Sequence, residues 1–235
     1  MKLDNATVLV TGANRGIGLV FAREALARGA RKVYAAARDP ARITLPGVVP
    51  VRLDVTDAEA VVALARQLGD VTLLINNAGI ARVGGFLADD AVDVAQAQME
   101  TNFFGPLRMS RAFAPVLAAN GGGAIVNVLS IASWISSPLL AAYGASKAAA
   151  WSLTNGLRHE LRAQGTQVLG MHMGFVDTDL TRGIDQAKST PEAVVRAALD
   201  ALEAGAEEVL ADEVTHHVKR GLSAQPGVYL HALDR

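Results

Sequence analysis

Short apolar runs rich in β-branched residues alternate along this chain with longer stretches whose apolar positions recur at helical spacing. Val8-Leu9-Val10 leads into a helical pattern over residues 16–28, and a second apolar run follows at 32–36. Residues 48–53 lead, through a helix cap at Thr56, to a helical stretch over 57–68. A run at 71–75 precedes a long helical region from about 91 to 117, which Gly121-Gly122-Gly123 separates from the next run at 124–129. Residues 143–164 read as a second long helix, 168–173 as a sixth strand, 191–204 as a helix opened by Pro191, and Glu208–Leu210 as a last strand.

Strand followed by helix, repeated, argues for βαβ units and a parallel sheet. Runs such as 72–75 and 125–129 are apolar throughout and need cover on both faces, so the expected fold is α/β: a Rossmann-type doubly wound parallel sheet of about seven strands flanked by helices. No repeat, low-complexity tract or long linker divides the chain, so residues 1–235 are expected to form a single domain. The tail over 223–235, with Pro226-Gly227, gives no clear pattern.

Composition narrows the functions without changing this picture. With 51% hydrophobic and 19% charged residues in 235, one sizeable core can form. A net charge of -1, with the basic residues spread along the chain, gives no footprint for nucleic acid. There are no cysteines; His216 and His217 are adjacent, and His159, His172 and His231 are scattered, so no metal site is expected. The run Ala6–Val10 ends at Thr11-Gly12 before a signal-peptide core would be complete, and no segment nears the ~20 apolar residues of a membrane span. A soluble cytoplasmic protein without membrane partners is expected.

The first strand runs into Thr11-Gly12-Ala13-Asn14-Arg15-Gly16-Ile17-Gly18, where a helix starts. Glycines in that place let main-chain N–H groups approach a pyrophosphate while the helix N-terminus faces its charge. The spacing departs from the G-x-G-x-x-G fingerprint, and a plain flexible turn is the other reading. At the end of the second strand an NAD site would carry an acid; this chain has Arg38, which with Arg15 suits a 2′-phosphate, so NADP(H) is the expected cofactor. Ordinary solvated arginines are the alternative, and the neighbouring Asp39 weakens the field. Residues 1–120 then form a nucleotide half and 121–235 a catalytic and substrate half.

Tyr143 and Lys147 stand at i and i+4 on one helix face. A phenol with an ordinary pKa of about 10 is a poor acid–base at neutral pH, and a nearby ammonium favours its phenolate. Such pairs also arise by chance, but this one follows a strand whose end carries Ser130 to the sheet edge where ligands of open α/β sheets gather. Hydroxyl, phenol, ammonium and dinucleotide loop together describe proton transfer coupled to hydride transfer.

In these features the chain resembles the short-chain dehydrogenase/reductase family: Thr11-Gly12-x3-Gly16-x-Gly18, Asp54 in Leu53-Asp54-Val55, Asn76-Asn77-Ala78-Gly79, Asn102, Ser130 and Tyr143-x3-Lys147, with Ser130 placed 13 residues before Tyr143. The resemblance spans about residues 5 to 180. It implies that Tyr143 is the acid–base, Ser130 holds the substrate oxygen, Lys147 lowers the tyrosine pKa and touches the nicotinamide ribose, and Asn102 holds a relay water through its main chain. It also implies that Asp54 and Val55 meet the adenine, that Asn77, Ala78 and Gly79 line the cofactor, and that Val176 and Thr178 lie at the carboxamide. One departure is Met173-Gly174, where the family usually has Pro-Gly.

The expected reaction is hydride exchange between NADP(H) and a carbonyl or secondary alcohol. Pocket walls are expected at 131–135, 83–86 and 175–184, made apolar by Trp134, Phe86, Leu180 and Ile184, with a small lid between Thr178 and Pro191. Two alternatives stay open: a 3-oxoacyl-thioester or polyketide-type ketoreductase using Arg82, Arg108 or Arg182, and a non-enzymatic NADP(H) sensor. The family also implies a homodimer or homotetramer packed through the helices that carry Asn102 and Tyr143.

Overall fold

Apolar strands need cover on both faces, and the chain supplies it with two separate helical layers. The computed structural model describes residues 1–230. Its strands are β1 (Thr7–Thr11), β2 (Lys32–Ala37), β3 (Val49–Arg52), β4 (Leu73–Asn76), β5 (Ala124–Val128), β6 (Gln167–His172) and β7 (Glu208–Leu210). They pair side by side, all parallel, in the order β3-β2-β1-β4-β5-β6-β7. The helices are α1 (Gly16–Ala27), α2 (Ala58–Gln67), α3 (Ala91–Met99), α4 (Gly105–Ala119), α5 (Ala141–Glu160), α6 (Pro191–Glu203) and α7 (Glu213–Gly221).

The two-residue period of a strand sorts its side chains into two cores. Val8 and Val10 of β1 join Leu73, Ile75, Val126, Leu169 and Met171 beneath Phe21 of α1 and Val194 and Leu199 of α6. On the other face Leu9, Leu74, Ile125 and Val168 pack with Val61 and Leu64 of α2, Met109, Phe113 and Leu117 of α4, and Leu157 of α5. All of these are fully or almost fully buried. Each such side chain contributes about 1.5–3 kcal/mol on leaving water, which makes the paired layers the main support of the sheet. The strand order reverses direction between β1 and β4, and it is outside the carboxyl ends of strands at such a switch point that open α/β sheets form their ligand crevice.

Differences from the sequence pattern have local causes. The helix over 57–68 is capped by Asp57, whose carboxylate accepts the Ala60 N–H at 3.0 Å, and not by Thr56. The Thr56 hydroxyl is drawn back to Asp54 at 2.8 Å. The helical region over 91–117 is divided by a π-helical turn, Glu100–Phe104, in which the Gly105 N–H reaches back to the Glu100 carbonyl. Pro106 explains the irregularity: it has no N–H to donate to the carbonyl of Asn102 four residues earlier. Helix α7 escapes the sequence pattern because only Thr215 and Val218 are buried on it while His216 and His217 face outward. Asp212 caps it, accepting the Thr215 N–H at 2.9 Å. Among the described residues no helix is long and apolar enough to cross a membrane, and no group of three metal-ligating side chains occurs. His231 lies outside the described residues.

Candidate active site

At the carboxyl end of β1 the chain turns through Gly12 and Gly16, whose φ values of 67° and 54° favour glycine. At Gly18 the reason is contact: a Cβ there would sit 2.3 Å from the Gly12 carbonyl oxygen and 2.5 Å from the Asn77 amide. The N-cap of α1 is Arg15, which makes no side-chain cap, while α2, α6 and α7 are capped by Asp57, Thr190 and Asp212. No acid stands in the first turn of α1 either. A 12-residue helix thus points N–H groups without a side-chain acceptor, and the positive end of its dipole, at the crevice. A cradle without side chains, closed by an uncapped helix, fits a dinucleotide pyrophosphate. Asn14 and Ile17 lie half-buried in the same turn.

Asn77 builds this loop from below. Its amide donates to the carbonyls of Thr11 and Gly12 at 2.9 and 3.2 Å, and the Thr11 hydroxyl accepts the N–H groups of Asn77 and Ala78 at 3.0 Å each. The Asn77 side chain is therefore committed to the glycine turn, leaving its main chain, Ala78 and the exposed Gly79 to face the crevice. On the other side, Arg38 stands exposed at the end of β2. Burial works against the Asp54 carboxylate, but hydrogen bonds from the Thr56 N–H and hydroxyl, with the charge of Arg38, outweigh it and hold its pKa below the usual range. Val55 is buried against Gly105, so only its main chain is open to the crevice.

The second group of residues meets beside Gly79, where a Cβ would lie 3.2 Å from Asn102 Oδ1 and 3.9 Å from Lys147 Nζ. Asn102, buried in the π-turn, accepts the Ile80 N–H at 2.9 Å and donates to the Ile80 carbonyl and the Ser146 hydroxyl, each at 2.9 Å. Ser146 passes the tie on to the Tyr143 carbonyl at 2.7 Å. Lys147 is buried, donates to the Val128 carbonyl at 2.8 Å, and has its pKa lowered to about 8 by burial. Its ammonium stands 5.8 Å from the centre of the Tyr143 ring. Protein packed around the partly buried Tyr143 desolvates the phenol and raises its pKa, partly offset by a hydrogen bond with Ser130. Burial outweighs that bond, so the phenol lies above its usual range and not below it as the lysine was expected to hold it. The Ser130 hydroxyl also accepts the Ala132 N–H at 3.1 Å, which pins it at the head of a short 3-10 turn.

Glycine turn, uncapped helix, hydroxyl, phenol and ammonium occupy one edge of a seven-stranded parallel sheet. A family model described as short chain dehydrogenase matches residues 6–189. The chain belongs to the short-chain dehydrogenase/reductase family. Such proteins are oxidoreductases. The chain is 40% identical, over 77% of its own length and 75% of the relative's, to a galactitol 2-dehydrogenase (L-tagatose-forming) of Cereibacter sphaeroides. It spans only 60% of the bovine dehydrogenase/reductase SDR family member 7B, at 34% identity over 75% of its own length. Its fold superposes with a TM-score of 0.92, at 42% identity and 96% coverage of both chains, on a short chain dehydrogenase of Burkholderia cenocepacia J2315 in complex with NADP. A Burkholderia phymatum member of the family, in complex with NAD, matches with a TM-score of 0.87 at 25% identity, with both chains fully covered.

Seen as a family member, the chain places its remaining expected residues unevenly. Thr178 sits over the glycine turn, its methyl 3.4 Å from where a Gly16 Cβ would be, and so joins the two halves of the crevice. Val176 is buried in the core; its carbonyl accepts the Thr181 hydroxyl at 2.5 Å, so only its main chain is available to a ligand. Arg15 pairs with Asp179 at 2.8 Å, and Arg182 pairs with the same carboxylate. Phe86 and Leu180 are exposed, at 58% and 47%, as walls of an open site would be. Trp134 instead turns away to stack on His172 with ring centres 3.9 Å apart. The sequence reading missed Ser146, Thr11 and His172. Ser146 stands three residues after Tyr143 in the same helical turn, a position from which it was findable; His172 was visible only as an isolated histidine in a strand.

Proposed function

We propose that this protein is a cytoplasmic, NADPH-preferring reductase of ketones or aldehydes, able to run in reverse on secondary alcohols. The observation that carries the reading is the chain of contacts from Ser130 to Tyr143 to Lys147, whose ammonium lies beside Gly79 on the same edge of the sheet as the uncapped glycine turn. A bound nicotinamide nucleotide supplies or accepts the hydride. Tyr143, its pKa raised, holds its proton at neutral pH and gives it to the substrate oxygen during reduction; alcohol oxidation needs the phenolate and is favoured at higher pH. Ser130, with its hydroxyl accepting the Ala132 N–H, keeps its own proton to hold the substrate oxygen. Lys147 sets a positive charge near Tyr143, and the carbonyl of Asn102, to which Pro106 has no N–H to donate, serves the relay water.

Arg38 supports NADPH over NADH, because a guanidinium at that strand end recognises a 2′-phosphate. The NADP-bound structural neighbour at 42% identity agrees with this choice, and the NAD-bound one at 25% is more distant. A relative named for forming tagatose from galactitol supports the secondary-alcohol class. Exposed Phe86 and Leu180 favour a largely apolar substrate. Of the arginines a carrier-bound thioester would call on, Arg108 and Arg182 are engaged by Glu100 and Asp179, while Arg82 is exposed. An apolar exposed face around Val92 and Phe104 supports self-association as a homodimer or homotetramer, which light scattering checks.

The test is a panel of free ketones, aldehydes, galactitol and a 3-oxoacyl thioester, run with each nucleotide. Turnover of free carbonyls that favours NADPH is expected, and Arg38→Asp should raise the KM for NADPH by about tenfold or more while barely moving that for NADH. Equal effects on both nucleotides would remove the NADPH assignment. Turnover of the thioester alone would replace the substrate class.

A further inference from the structure

One buried titratable group takes no part in the chemistry described so far. His172, the last residue of β6, has no solvent exposure, and its Nδ1 lies 3.3 Å from the carbonyl oxygen of Ser130. That oxygen can only accept, so Nδ1 carries the proton. Nε2 has no hydrogen-bond partner; the nearest carboxylate oxygen, on Glu208, is 3.6 Å away and is already paired with Lys219. Two tryptophans enclose the ring: Trp134 stacked on it at 21° between planes, Trp151 edge-on with centres 6.5 Å apart. Lys219 lies 4.6 Å from the centre of the Trp134 ring. Desolvation lowers the His172 pKa to about 4, with the hydrogen bond to the Ser130 carbonyl and the charge of Glu208 opposing the shift and Lys219 and Lys147 assisting it, so the ring is neutral near pH 7.

An aromatic box of this kind would hold an aliphatic side chain without stranding a polar nitrogen. What the histidine adds is one directed hydrogen bond, and its target is the main chain of the serine whose hydroxyl meets Tyr143. We propose that His172 is a positioning residue: by donating Nδ1–H to the Ser130 carbonyl, with Trp134 clamping its ring, it sets the orientation in which Ser130 presents its hydroxyl to Tyr143 and the substrate. The Ala132 N–H fixes the hydroxyl from one side and His172 fixes the carbonyl from the other. Glu208 and Lys219, which close the box, lie beyond the residues 6–189 matched by the family model, so the C-terminal part of the chain reaches the catalytic serine through this ring.

The inference rests on the acid–base reading of Ser130 and Tyr143, and its test has a readout that needs no turnover. His172→Leu removes the donor, and His172→Asn keeps an N–H near the place of Nδ1. The phenol titration of Tyr143, taken as the ultraviolet difference from the same protein with Tyr143→Phe, should move to higher pH in His172→Leu and return most of the way in His172→Asn. With NADPH and a reducible ketone, kcat should fall at least tenfold in His172→Leu with the KM for NADPH within twofold, and recover in His172→Asn. Should His172→Leu not fold, Trp134→Leu leaves the histidine in place, releases its ring, and should move both readouts the same way by less. An unmoved phenol titration in the variant that folds, or His172→Asn no better than His172→Leu, would overturn the proposal. Failure of the wild type to turn over any carbonyl would sink the functional reading, and the titration would still decide the role of His172.

Discussion

The nucleotide end and the catalytic end of the crevice are built in opposite ways. At the first, the geometry rests on what is left out: a Cβ at Gly18 and a side-chain cap on α1. At the second it comes from what is buried at a cost: the Lys147 ammonium, the Asn102 amide, the Tyr143 phenol and the His172 ring. The first end should be damaged by adding atoms. At the second, removing the buried Lys147 charge should raise stability while activity is lost.

Lys147→Met sharpens this contrast most. The folded pKa of about 8 lies below the ordinary 10.5, so the unfolded chain holds more protons between those values and stability rises with pH across that window, by up to about 3 kcal/mol. At pH 7 the penalty is fully present. Removing the charge should therefore stabilise the protein by about 2 kcal/mol, after allowing about 1 kcal/mol for the lost bond to Val128, while kcat falls about a hundredfold or more. Denaturant unfolding and turnover of the same preparation check both halves.

His172 gives a similar energy with its pH window elsewhere. Its folded pKa of about 4 lies below the ordinary 6.5, so stability is complete above 6.5 and declines as pH falls toward 4, by up to about 3 kcal/mol. Unfolding of wild type and His172→Asn across that range should show the slope disappear in the variant. Gly18→Ala tests the other end. A Cβ 2.3 Å from a main-chain oxygen must displace the turn, which should weaken NADPH binding about tenfold or more and cost about 1–3 kcal/mol of stability. Calorimetric titration with NADPH measures the first. Least of all, Asp179→Ala breaks exposed, solvent-screened pairs with Arg15 and Arg182 and should leave the denaturant midpoint nearly unchanged.

The contrast also explains what could be read from the sequence. Strand order, the two helical layers and the glycine turn follow from local patterns, since Gly12, Gly16 and Gly18 lie within one turn and the strands announce themselves by composition. Tyr143 and Lys147 share a helix face and were equally visible. The supports were not, because they join residues far apart in the chain: Asn102 to Ile80 and Ser146, Asn77 to Thr11, His172 to Ser130. The pairing of Arg15 with Asp179 was equally out of reach, because 164 residues separate the two. The π-turn at Asn102 could have been suspected from Pro106, whose missing N–H is a local fact.

The central claim is that Tyr143 moves the proton and the glycine cradle holds the nucleotide, as separable tasks. Tyr143→Phe, assayed for NADPH-dependent carbonyl reduction by loss of nicotinamide absorbance and for NADPH affinity by calorimetry, tests it most directly. The account predicts turnover reduced by about a hundredfold to ten-thousandfold with NADPH affinity within about twofold of wild type. Undiminished turnover in the variant would contradict it.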